Sequence, residues 1–273
     1  MQVFVEAQGL PVFNNVLYDT PQAAKAADTG DLKLGFCPTC GFISNLAFDP
    51  QKVAYTPAYE NSLFYSAEFQ KFAKGLAEHL AARYNLKGKL VLEIGAGQVD
   101  FLVLLSQLSG CNGIGFDPSY RSKGELPAGL EMHQEPYPPN NNPYRPDLIV
   151  CRHVLEHFAQ PLSFLEYQRQ HAPADCALYF ETPDTRYTLR DHGVWDLIYE
   201  HPSYFTPPSM GYVFRRAGFR VRDIYAQYGG QFLGIESWPA QPDPSPPPAA
   251  EMEQLWAWVG GFAAVYRDKV AHW

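Results

Sequence analysis

The sequence predicts an α/β chain: a mostly parallel sheet with helices between its strands, ended by an antiparallel hairpin and preceded by a small irregular module. Three observations predict it. From Lys89 onward, short apolar runs alternate with helical stretches, as in strands buried on both faces. The last two β-type runs follow one another with no helix between them, and the first 60 residues are dense in turn formers.

Within that first segment stand Gly9-Leu10-Pro11, Asn14-Asn15, Asp19-Thr20-Pro21 and Cys37-Pro38-Thr39-Cys40-Gly41, with a short β-type run from Leu32 to Phe36. A helix is predicted from Ser66 to about Tyr84, because Phe69, Phe72, Leu76 and Leu80 recur at helical spacing behind a Ser cap with Glu68 in the first turn. Then follow strand Leu90–Glu93, a helix stopped by Gly110, strand Gly113–Asp117, a third strand near Leu130–Gln134, strand Asp147–Arg152, helix Leu162–His171 and strand Ala177–Glu181. Thr206 and Pro207 suit a helix start and Gly218 its end; the hairpin strands are Phe219–Tyr225 and Gln231–Glu236. The main domain, 61–238, closes at the proline-rich linker Pro239 to Pro248, too poor in backbone donors for helix or sheet. In 239–273, Leu255, Val259, Phe262, Ala263 and Tyr266 make one stripe of a final helix that also carries Trp256 and Trp258.

Composition narrows the function. Of 273 residues, 46% are hydrophobic, which excludes a disordered chain. Lys and Arg number 21 against 29 Asp and Glu, a net charge of −8, which argues against nucleic acid as a partner. No run approaches the roughly 18 apolar residues of a membrane helix, and Met1–Ala24 lacks the basic residues of a secretory leader. The expected setting is cytoplasmic, with no membrane partner, a small-molecule substrate, and a homodimer as one compatible state. Five cysteines, an odd number of which only Cys37 and Cys40 are close, do not form an extracellular disulfide framework.

The motif Leu90-Val91-Leu92-Glu93-Ile94-Gly95-Ala96-Gly97-Gln98-Val99-Asp100-Phe101 reads as strand, glycine turn and helix start, and Asp117 ends the next strand 20 residues after Gly97. Gly95 and Gly97 allow close approach of a ligand to the backbone, and Asp117 can accept from both hydroxyls of a ribose. A nucleoside site follows. NAD is disfavoured, because Asp100 takes the third-glycine place of G-x-G-x-x-G and would set a negative charge beside a pyrophosphate. His153-Val154-Leu155-Glu156-His157 matches the H-x-x-E-H spelling of zinc peptidases, yet it directly follows a buried strand with no third ligand evident, and capping or substrate-face packing is the preferred reading. Cys37 and Cys40 are half of a zinc site; no second pair stands in the chain, and two free thiols in a turn are favoured. His201 lies between the fifth strand and the Thr206 helix, at the sheet edge where open α/β sheets bind ligands, and a neutral His can take a proton from a carbon beside a carbonyl.

On Glu93, Gly95 and Gly97, with Val99 where a third glycine would stand, the chain resembles the Rossmann-like class I S-adenosylmethionine-dependent methyltransferases. Asp147-Leu148-Ile149-Val150-Cys151-Arg152-His153-Val154-Leu155-Glu156-His157 looks like that family's fourth-strand segment beside the methionyl end of the cofactor. The resemblance implies cofactor contacts from Glu93, Gly95, Gly97, Gln98, Asp117, Pro118, Arg152 and, at the adenine, Glu135. Tyr199-Glu200-His201, with the Cys37 segment and Tyr55-Thr56-Pro57-Ala58-Tyr59-Glu60-Asn61-Ser62, resembles more narrowly the sugar C-methyltransferases of antibiotic deoxysugar pathways. That implies His201 as the base beside a sugar ketone, tuned or positioned by Tyr199 and Glu200, with Tyr55, Tyr59, Tyr65 and His153 toward the substrate. Such chains carry a further C-terminal domain, and Ala271-His272-Trp273 resembles the point where it begins; the expectation is a truncated or naturally short form. O- or N-methylation of another metabolite, and a module that binds the cofactor without turnover, stay open as alternatives.

Overall fold

The structure is a computed structural model that describes every residue except 56–58, 60–61, 123, 139–142 and 273. Its N-terminal segment, where turn formers suggest an irregular module, folds into an antiparallel sheet of β1 (Gln2–Pro11), β2 (Thr29–Phe36) and β3 (Ile43–Asn45), with a one-turn helix α1 (Pro21–Lys25) between the first two strands. The sequence hides β1 because its register against β2 shifts between Val3 and Val5 and again between Ala7 and Leu10, so polar and apolar residues do not alternate along it. A two-residue strand from far along the chain, Ser203–Tyr204, completes this sheet by pairing Tyr204 with Ile43.

α2 (Ala67–Tyr84) begins where Ser66 Oγ accepts the Phe69 N–H and ends at Asn85, whose left-handed φ of 48° closes the last turn. Its Phe69, Ala73, Leu76, Ala77 and Leu80 are buried on the central sheet. That sheet is built from β4 (Leu90–Ile94), β5 (Asn112–Phe116), β6 (Leu130–His133), β7 (Leu148–Arg152) and β8 (Ala177–Pro183), all parallel. α3 (Asp100–Ser109) and α4 (Pro161–His171) provide crossovers, and α5 (Thr185–Leu189) is a short turn of helix capped by the Asp184 carboxylate. After the strand Ser203–Tyr204, here β9, α6 (Pro207–Arg216) starts at Thr206, whose N–H donates to Ser209 Oγ at 2.9 Å. β10 (Phe219–Gln227) and β11 (Phe232–Pro239) form the expected antiparallel hairpin, and β11 joins β8. Strand order is β10-β11-β8-β7-β4-β5-β6, so β4 lies between β5 and β7 and the carboxyl ends of all three meet at one edge.

The proline-rich stretch is pinned to α6 by the Ala240 N–H on the Gly218 carbonyl at 2.7 Å and the Asp243 N–H on the Arg215 carbonyl at 2.9 Å. α7 (Ala249–His272) then lays Leu255, Val259 and Phe262 on Leu32, Leu34 and Phe36 of the first sheet. Among the described residues no helix is long and apolar enough to cross a membrane.

One buried carboxylate ties α2 to the hairpin. Glu236, 1% exposed, accepts from Arg83 Nε at 3.0 Å, Tyr84 Oη at 2.7 Å and Tyr225 Oη at 2.9 Å, and lies 2.8 Å from His79 Nε2. Removing it strands those donors in a partly dry site. Glu236→Ala is expected to cost about 2–3 kcal/mol in urea unfolding; a loss below about 0.5 kcal/mol would show that the network contributes packing alone.

Candidate functional site

The carboxyl ends of β4, β5 and β7 open into a cleft of about 710 Å³. Its floor is the turn after β4. Gly95 and Gly97 sit at φ +70° and +55°, and a Cβ on Gly95 would collide with the Val154 side chain, so a larger residue there would be strained and would displace Val154. Val99 holds the left-handed conformation that the third glycine would favour, with φ 68°, and is buried as the N-cap of α3. Asp117, just past β5, accepts the Gly97 N–H through Oδ2 at 2.8 Å and the Ser119 N–H and hydroxyl through Oδ1 at 2.7 and 2.6 Å. Gln98 reaches the same turn, donating to the Ser119 carbonyl at 3.3 Å, and Pro118 and Phe116 give the wall its apolar surface.

Beneath the turn lies buried charge. Glu93 is 2% exposed, its Oε2 has no hydrogen-bond partner, and burial pushes its carboxyl up to about 8 against the pull of Arg152. Arg152 stacks over the Phe101 ring at 4.3 Å and pairs with Glu181, its Nε and Nη2 each 3.0 Å from Oε1. Glu181 is buried, which alone would raise its pKa, yet Arg152 and His153 hold it down to about 2. His153, at φ +53°, places Nε2 3.2 Å from the same carboxylate; burial opposes its charge, but Glu156 and Glu181 raise it to about 9.

The far end of the cleft is aromatic and imidazole-rich. Tyr55 Oη lies 2.7 Å from His157 Nδ1, Tyr59 packs edge-on against Tyr55, and the His157 and His201 rings meet at 4.9 Å. His201 Nδ1 is 3.1 Å from the Asp196 carbonyl, which can only accept; Nδ1 therefore carries the proton and Nε2 keeps its lone pair. Burial, with His157 beside it, drives His201 down to about 3, so the ring is neutral. The H-x-x-E-H spelling does not form a helical zinc motif: Leu155–His157 is a single 3₁₀ turn and His153 faces Glu181.

Of the residues singled out in the sequence, Glu93, Gly95, Gly97, Gln98, Asp117, Pro118, Arg152, His153, His201, Tyr55 and Tyr59 line this cleft. Four do not. Tyr199 is buried against Phe48, with its hydroxyl accepting the Asp49 N–H at 2.8 Å, and fills the space over Gly30. Glu200 is buried behind the lining, its carboxylate accepting the Asn14 N–H at 2.7 Å and bonded to Tyr59, while its carbonyl lies 3.0 Å from His157 Nδ1. Tyr65 is 79% exposed. Glu135 is exposed beyond the end of β6, with Pro136 and Tyr137 at the cleft wall instead. Thr56, Pro57, Ala58, Glu60 and Asn61 of the tyrosine segment lie outside the described residues. Sequence reasoning missed Asp196, Trp195 and Asn14, which line the cleft from loops without a motif. Ser119 was findable as the partner of an aspartate two residues before it. Cys37 and Cys40 stand in one turn and form no disulfide. Burial raises Cys37, but bonds from Cys40 and Thr39 bring it below its usual value, whereas burial drives Cys40 up to about 11. Among the described residues no further His, Cys, Asp or Glu joins them in a group of three.

A family profile described as "Methyltransferase domain" matches residues 65–224. The tRNA U34 carboxymethyltransferase of Campylobacter lari is 26% identical over 151 residues, 51% of this chain and 50% of that protein, so the chain spans about half the length of this curated relative. Among solved structures, magnesium protoporphyrin IX methyltransferase from Synechocystis with bound S-adenosylhomocysteine aligns with TM-score 0.50 at 14% identity, over 66% of this chain and 89% of its own. A methyltransferase from Aquifex aeolicus aligns with TM-score 0.45 at 20% identity, over 59% and 88%. The likeness to the Synechocystis structure is one of fold.

The two shifted histidines set opposite pH limbs. Unfolded His201 binds a proton below about 6.5 whereas the folded ring waits until about 3, so its contribution to stability is lost as pH falls below about 6.5. His153 contributes fully below about 6.5 and loses that contribution as pH rises through about 9. His201→Asn is expected to flatten the acid limb of the melting temperature and spare the alkaline limb; an unchanged acid limb would show that His201 is not buried neutral.

Proposed function

The chain belongs to the methyltransferase domain family, whose profile covers more than half of it, and on that premise we propose that it transfers the methyl group of S-adenosylmethionine to a small molecule, most specifically to a carbon beside the ketone of a nucleotide-linked sugar. The observation that carries the reading is one cleft with two chemically distinct ends. At one end a buried carboxylate with an unpartnered oxygen, Glu93, sits under the positive-φ glycine turn. At the other, a neutral imidazole keeps a free nitrogen.

The residues fit the cofactor. Glu93 would answer its ammonium group, Gly95 and Gly97 would admit it against the backbone, Asp117 and Gln98 would meet its ribose, and Pro118 would flank its base. Arg152 has its Nε on Glu181, so its part is to fix the charge balance around Glu93. When bound, the cofactor supplies an electrophilic methyl on sulfur. What the chain's own residues do is positional and protonic: Nε2 of His201 accepts the proton of the acceptor, the Asp196 carbonyl fixes its tautomer, and Glu156 nearby favours the charge so formed. Tyr199 and Glu200 act as positioning residues, Tyr199 by packing and Glu200 through His157. The cleft's aromatic far end and the net charge of −8 favour a small acceptor over the tRNA named for the Campylobacter relative.

Glu93→Gln should weaken S-adenosylhomocysteine binding about tenfold or more and abolish the proton release expected as its raised carboxyl ionises beside a cation, read by calorimetry in two buffers. Equal affinity in both chains would remove Glu93 from the site. With keto sugars as acceptors, the product should carry its new methyl on carbon by NMR, and His201→Asn should lower kcat about a hundredfold or more; a methyl on oxygen or nitrogen would select the alternative acceptor classes.

A further inference from the structure

Three side chains at the far end of the cleft have a chemistry that proton transfer does not use up. One ligand atom each from Glu156, His157 and His201 lie within 4.8 Å of one another. Both rings are arranged as metal-ligating histidines are: Nδ1 of His157 is 3.0 Å from the Glu200 carbonyl and Nδ1 of His201 is 3.1 Å from the Asp196 carbonyl, leaving the other nitrogen of each ring free. Glu156 adds an anionic oxygen. Its Oε1 faces His153 at 3.7 Å, while Oε2 is buried without a hydrogen-bond partner, an expensive state that a cation would relieve.

We propose that Glu156, His157 and His201 form a binding site for one divalent first-row metal ion, of the Zn²⁺ class, with an open position toward the cleft. Two imidazoles and one carboxylate are the donor set of open zinc sites, in which three protein ligands leave a fourth position for water or substrate. Small side-chain rotations bring atoms this close to ligand distances of about 2 Å. The open position would take an oxygen donor, such as the carbonyl or hydroxyl of an acceptor. Occupancy does not depend on the methyl-transfer reading. It does bear on His201: in the ion-loaded chain its free nitrogen is a ligand, and in the ion-free chain that nitrogen accepts protons.

The test is titration of the chelator-stripped full chain with Zn²⁺ by calorimetry and with Co²⁺ by visible absorption. Wild type is compared with Glu156→Gln, His201→Asn and the double variant Cys37→Ser/Cys40→Ser, each checked for fold by circular dichroism. Stoichiometric Zn²⁺ binding is expected, weakened about tenfold or more by Glu156→Gln or His201→Asn and unchanged by the cysteine variant, with a Co²⁺ spectrum free of thiolate charge transfer. Glu156→Gln keeps size and shape, so the test survives if His201→Asn misfolds. Absent binding, or binding lost only in the cysteine variant, overturns the site. S-adenosylhomocysteine binding, measured in parallel, separates the two claims: a chain that binds it but not Zn²⁺ defeats the metal site alone, and one that binds Zn²⁺ but not it defeats the methyl-transfer reading alone.

Discussion

The ion pair between Arg152 and Glu181 is the constraint on which the cleft depends. These residues are register partners across β7 and β8, both buried, so the pairing of the two strands and the pairing of their charges are one event. A slip of one residue would turn Arg152 and Glu181 into opposite apolar layers, and each would be an unpaired buried charge. Tyr179 and Gln227 also bond Glu181, at 2.9 and 3.0 Å, which extends the same register to the hairpin. Glu181 engages Arg152 directly, and on the neighbouring strand β4 burial raises the pKa of Glu93 against the opposing pull of the same Arg152.

The loop above is strained in a directed way. The position of Gly95 favours glycine for two independent reasons, its φ and the Val154 side chain that occupies the place of a Cβ, while Val99 takes a left-handed φ that a β-branched residue rarely adopts. Its burial and the start of α3 hold it there. Asp117 closes the turn by accepting the Gly97 N–H, so the shape that admits a ligand exists before the ligand does.

Much of this was legible in the sequence, for reasons that can be named. The parallel strands announce themselves because both faces are buried and the runs are continuously apolar; α2, α3 and α6 because Ser66, Gly110 and Thr206 with Pro207 carry their own stop and start chemistry. The glycine turn and Asp117 are local in sequence and therefore readable. What was not legible is contact between distant segments. β9 is two residues long and has no signal of its own; it exists because Ile43 offers an edge. Tyr199 and Glu200 adjoin His201 in the chain, yet Tyr199 packs on Phe48 and Glu200 is buried behind the lining residue Asn14, whereas Asp196, which fixes the His201 tautomer, sits in a loop without a pattern. Adjacency in sequence does not tell which of the three side chains opens onto the cleft, and at 199–201 only His201 does. Glu135 failed differently: the described strand β6 ends at His133, and the side chain is exposed beyond it.

On the proposed reading the glycine turn, Glu93 and Asp117 together bind S-adenosylmethionine rather than a dinucleotide. Calorimetric titration of the full chain with S-adenosylhomocysteine, with NADH as the comparison, tests it most directly. Micromolar binding of the first and none of the second is expected. Binding of NADH, or silence from S-adenosylhomocysteine, would contradict it.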